Sequence, residues 1–165
     1  MAYLNVSCND KKSLSNNSDE AIIYDYIVNN GYDHAARKNE SPFLVTTTFR
    51  RYPEETDSSN FAARKDRISR ALLLEFGTSM NKSLSVDCLA TPNNSAGMLT
   101  LKKKVEGTGS VESSTLLTYS KLCVGINGKH YYYVERTHKN SRFASGDVFV
   151  VNKGVVEREI SIWIT

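Results

Sequence analysis

Two hydrophobic periods divide this chain: apolar residues recur at helical spacing in its first half and at every second position in its last third. Ser18 stands as an N-cap before Asp19 and Glu20, acids that suit the positive end of a helix dipole. Ile22, Ile23, Tyr26 and Ile27 then supply an apolar stripe that Gly31 terminates. Residues 60–76 carry the clearest helical pattern, with Phe61, Ile68, Leu72 and Phe76 sharing one side and Gly77 at the stop position. Residues 43–52, rich in Thr, Val and Phe and closed by Pro53, read as a strand. Strands are also expected at residues 84–90, 98–106, 116–126, 129–137, 148–151 and 155–164, between clusters of turn-forming residues. In the last of these, Val156, Ile160, Ile162 and Ile164 face one way and Glu157, Glu159 and Ser161 the other, which leaves Trp163 on the polar face. The pattern predicts an α+β fold of two layers: a mainly antiparallel sheet in the C-terminal half packed with two helices of the N-terminal half.

Residues 116–137 form a predicted hairpin around Asn127-Gly128. A type I′ turn needs positive φ at both central residues, which Asn and Gly accept, and a two-residue loop then sets the register. Val124 would meet Tyr131 and Leu122 would meet Tyr133 on an apolar face. Cys123 would meet Tyr132, Lys121 would meet Val134, and Tyr119 would meet Arg136 on the other. That second face, aromatic and basic, could neutralise a nucleic-acid backbone and stack its bases; as a half-exposed sheet face it would only let long basic stems lie along it.

With 165 residues the chain can bury one core, so a single domain at residues 19–165 is expected behind a mobile polar arm at residues 1–18. No apolar run approaches the roughly 18 residues that span a bilayer, and acids rather than a basic-then-apolar leader occupy the first thirty positions. Three widely spaced cysteines, Cys8, Cys88 and Cys123, suggest free thiols and an intracellular, cytoplasmic setting. The net charge of +3 is too mild to identify a partner, so the distribution of charge has to.

Candidate chemistry is sparse. His130 and Cys123 fall diagonally across the predicted hairpin, without a third orienting group or oxyanion donors. No Cys or His pair has zinc-ligand spacing, and Gly107 and Gly109 do not open a helix that would cradle phosphate. No cofactor is expected, and an enzyme, which would need His130, Cys123 and a carboxylate to converge, is the least favoured of three readings.

The basic residues make a stronger pattern. Arg64, Lys65, Arg67 and Arg70 crowd the N-terminal half of the second helix, against its dipole. Lys102, Lys103 and Lys104 form a second tract, and from Thr100 to Arg142 eight Lys/Arg stand against three Glu. Inward lysines on an edge strand also guard against aggregation, so this tract has two readings. The leading expectation is a non-enzymatic protein that binds single-stranded nucleic acid or another polyanion through Arg64, Lys65, Arg67, Arg70, Lys102, Lys104, Tyr119, Lys121, Tyr132 and Arg136. The alternative is a self-assembling structural subunit, of viral coat or matrix type, that forms a homo-oligomer through its arm and final strand at Ile162, Trp163 and Ile164. Either would suit an anionic membrane surface as a further partner.

Overall fold

The structure is a computed structural model, which describes residues 18–30, 40–45, 57–78, 84–93, 98–103, 114–138 and 144–165. The arm up to residue 17, Lys104 and the glycines at 107 and 109 lie outside the described residues. The elements run α1 (Asp19–Asn30), β1 (Glu40–Val45), α2 (Asp57–Phe76), α3 (Val86–Ala90), β2 (Met98–Lys103), β3 (Ser114–Tyr119), β4 (Cys123–Val124), β5 (His130–His138), β6 (Ala144–Asn152) and β7 (Val155–Ile164). The fold is α+β. Its strands form one antiparallel sheet in the order β1-β2-β3-β5-β6-β7, and the short β4 pairs with β5 in the lane that β3 leaves.

Local chemistry sets the helix ends. Ser18 Oγ accepts a hydrogen bond from the amide of Ala21, the expected cap, and Gly77 takes φ 70° where α2 ends. Residues 84–90 break the strand expectation, because Ser85 caps a single helical turn by accepting from the Cys88 amide. Cys88 is in turn bonded to Cys123, with the two Cα atoms 5.9 Å apart, so two of the three thiols are paired rather than free. This removes the ground on which a reducing compartment was expected.

Around β5 and β6 the sheet is covered on both faces rather than one. Alternate residues of β5 and β6 point to opposite sides. Tyr131, Tyr133, Val148 and Val150, with Ile160 of β7, pack against Ile68 and Leu72 of α2 and Leu89 and Ala90 of α3. Tyr132, Val134, Phe149 and Val151 pack with Leu117 and Tyr119 against Ile23 and Ile27 of α1. The order is therefore helix, sheet, helix pair. The uninterrupted Val148-Phe149-Val150-Val151 run is the sequence signature of a strand buried on both faces.

The two-residue loop expected at Asn127-Gly128 is found at the last hairpin instead. Lys153 and Gly154, at φ 51° and 77°, form the two-residue loop with both residues left-handed, between the paired Asn152 and Val155. At the other hairpin only Gly128 is left-handed, at φ 73°. Gly125 donates to Lys129 O across a three-residue loop, and the Asn127 side chain accepts from the Lys129 amide instead of its backbone entering the left-handed region. The register slips by one residue: Cys123 pairs with Tyr131 and Val124 with His130. A second slip around residues 120–122 brings Tyr119 opposite Val134 rather than Arg136. In β4 the faces are thereby exchanged. Cys123 enters the core while Leu122 and Val124 turn outward, the reverse of the expected arrangement.

Bulges re-aim β7 in the same way. Register shifts opposite Gly146/Asp147 and Val150/Val151 leave Val156 on the α1 face while Ile160 and Ile162 face α2. The first of these shifts also swings Trp163 off the polar face.

Candidate functional site

Of the ten residues expected to bind nucleic acid, the nine among the described residues do not share a surface. Tyr119 and Tyr132 keep only 1% and 3% of their surface, because α1 lies over them. The Tyr119 hydroxyl donates to Glu20 O at 3.3 Å, and the Tyr132 hydroxyl to Asp19 Oδ2 at 3.1 Å. Burial, reinforced by the Glu20 charge, pushes both phenols well above their ordinary range. Rings held in this way have no free face for a base, which corrects the stacking platform inferred from the predicted hairpin. A second signal for their burial lay in the apolar partners Leu117, Val134 and Phe149 on the same side of the sheet.

Arg136 is inside an ion cluster. Its Nη2 lies 2.5 Å from Asp147 and 2.7 Å from Glu159, and its Nε donates to Asp147 and to Ser145 Oγ. Asp147 and Ser145 are buried. Burial raises the Glu159 carboxyl above the usual carboxylate range; the Asp147 charge adds to this and Arg136 opposes it. Tyr26 of α1 shares a hydrogen bond with Glu159, so the cluster also ties helix to sheet.

On the opposite face Arg64 is likewise engaged. It donates to Ala90 O at 3.0 Å and to Glu135 at 3.4 Å, and Glu135 accepts from the buried Tyr133 hydroxyl at 3.0 Å. Trp163 completes this chain, its Nε1 donating to Tyr133 at 2.8 Å. The indole lies against Gly146, which has no Cβ to displace it. Among the neighbouring cations, Lys65 pairs with Asp87 at 2.6 Å and Arg70 with Asp66 one turn back at 3.0 Å, both in exposed settings. Arg67 and Lys121 are exposed, and Lys102 sits in β2 opposite Ser41 and Ser114.

The thiol and imidazole expected near one another are separated by the register slip. Cys123 points to the α2 and α3 side and is disulfide-bonded, whereas His130 Nδ1 meets Asp19 Oδ2 at 2.6 Å beneath α1. Among the described residues no group of three His, Cys, Asp or Glu is placed to hold a metal ion, and no helix is long and apolar enough to cross a membrane.

What the fold assembles instead is a groove beside the outer strand of the sheet. Arg67, Arg70 and Leu74 of α2 face Ile160, Ser161 and Ile162 of β7 across about 570 Å³. β7 ends the strand order, so among the described strands one of its edges has no neighbour. Each half of the strand carries a register shift, opposite Val150/Val151 and Gly146/Asp147; its first half also carries Glu157, Arg158 and Glu159, while residues 160–164 carry no charge. Of the three residues expected to self-associate, Trp163 is engaged internally and Ile162 is half-buried; Ile164 is 62% exposed. Comparison with known proteins finds no match to this chain among protein-family models, curated proteins or solved structures.

Proposed function

We propose that this chain is a non-enzymatic interaction protein that self-associates by pairing the open edge of β7 with the same edge of a second copy. The observation that carries this reading is the uncharged run at residues 160–164, whose outer edge has no neighbour among the described strands, beside the α2 groove. An edge strand pairs with its own copy about a two-fold axis. With that axis at Ile162, Ile160 faces Ile164 of the other copy, so apolar side chains meet across the pair. The groove then receives side chains that the added strand points toward α2.

A second reading, nucleic-acid binding, keeps support from Lys65, Arg67 and Arg70, which stay on the exposed side of α2 after the tyrosines and Arg136 are withdrawn. On this reading phosphate contacts alone supply affinity, without base stacking.

Size-exclusion chromatography with light scattering, with and without fluorescent single-stranded RNA over a salt series, separates the two. Edge pairing predicts a concentration-dependent dimer that Ser161→Pro with Ile164→Lys returns to monomer. A monomer at every concentration overturns it. Salt-sensitive RNA binding lost in Arg67→Glu with Arg70→Glu would give the function to the helix instead.

A further inference from the structure

Of the seven large apolar side chains exposed among the described residues, four gather at one end of the sheet. Ile126 is 79% exposed, Val155 60%, Val124 58% and Leu122 44%. Three stand on the β4–β5 hairpin and Val155 on the β6–β7 hairpin. The register brings both tips to the same end, since His130 pairs with Val151 and Asn152 with Val155. Two strand spacings, about 10 Å, separate them. The slip at Gly128 is what places Leu122 and Val124 outside the core, where a two-residue loop would have buried them.

The charge around these tips is arranged rather than mixed. Lys121 beside Leu122 and Lys153 in the second turn are exposed. The nearby acids are engaged: Glu157 is held by Lys129 and Asn152, Asp19 by His130 and Tyr132, and Asp87, beside the Cys88 that contacts Leu122, by Lys65, while Glu20 belongs to the first turn of α1. Two convex apolar prongs rimmed by ammonium groups fit a partner that is planar, apolar below and anionic at its surface.

From this geometry we infer that the two hairpin tips dock on an anionic lipid bilayer. Ile126 and Val155 enter the boundary between headgroups and acyl chains, and Lys121 and Lys153 meet the anionic headgroups. Because Ile164 lies at the far end of β7, docking in this way leaves the edge proposed for self-association clear of the membrane.

Vesicle flotation of the full chain tests the inference, using phosphatidylcholine alone and phosphatidylcholine with about 30% phosphatidylserine. Binding is expected to the anionic vesicles and to weaken with salt. Lys121→Gln with Lys153→Asn should weaken it on the order of 25-fold, since each lysine near such a surface contributes about five-fold. Ile126→Ser with Val155→Ser should abolish flotation while circular dichroism stays that of the parent, because neither side chain is in the core. The inference is overturned by absence of flotation at low salt, by flotation that both variants leave unchanged, or by tip-dependent retention on single-stranded RNA without any on vesicles.

Discussion

Replacing Arg136 by Met tests whether that side chain belongs to a structural cluster or to a binding surface. Its side chain keeps 14% exposure beside an Asp147 that keeps 3%, so solvent does little to screen the pair. Removing the guanidinium leaves Asp147 with the Ser145 hydroxyl at 3.0 Å and no countercharge, and stranding a buried charge in this way costs about 3–5 kcal/mol. With a urea dependence of about 2 kcal/mol per molar, the unfolding midpoint should fall by roughly 1.5–2.5 M. Trp163, the only tryptophan, reports the transition. The loss should also depend on pH. Glu159 already titrates above the carboxylate range through burial and the Asp147 charge, and without Arg136 it rises further. A carboxyl whose folded pKa exceeds its unfolded value takes up a proton on folding, so stability falls as pH rises through that window and recovers as pH falls. The deficit of the variant should therefore shrink between neutral pH and about pH 5. A loss below about 1 kcal/mol that does not change with pH would refute the reasoning, because only a solvated, dispensable ion pair behaves in that way.

Two further outcomes follow from buried groups. Gly146→Ala would drive a methyl group into the Trp163 indole and the Tyr133 hydroxyl, costing about 1–3 kcal/mol and shifting tryptophan emission; unchanged emission and stability would contradict the packing. Tyr119, Tyr132 and Tyr133 are all pushed up, chiefly by burial. Their contribution to stability is complete below the ordinary phenol pKa of about 10 and is lost as pH rises beyond it. In an alkaline titration at least these three of the nine tyrosines should ionise only as the fold is lost, and smooth ionisation of all nine with unchanged circular dichroism would refute their burial.

Part of this fold follows from local chemistry alone. Ser18 as a cap, Gly77 as a stop and the stripe containing Ile68 and Leu72 placed the two long helices, and alternation placed the last strand at its observed bounds. These features depend on neighbours three or four positions away, or on a period of two. Register was different, since it turns on one residue. Asn127-Gly128 suits a two-residue loop, yet the chain uses three residues there and gives the two-residue loop to Lys153-Gly154; that single step exchanges the faces of β4. The five residues of α3 carry almost no periodic signal, and Cys88 meets its bonded partner 35 positions away. That α1 covers Tyr119 and Tyr132, and that Arg136 is spent on Asp147 and Glu159, follows from long-range packing. A strand pattern records which residues share a face but not what lies above it. Burying a large side chain there contributes roughly 1.5–3 kcal/mol, against the few tenths by which a surface charge or local propensity can argue otherwise.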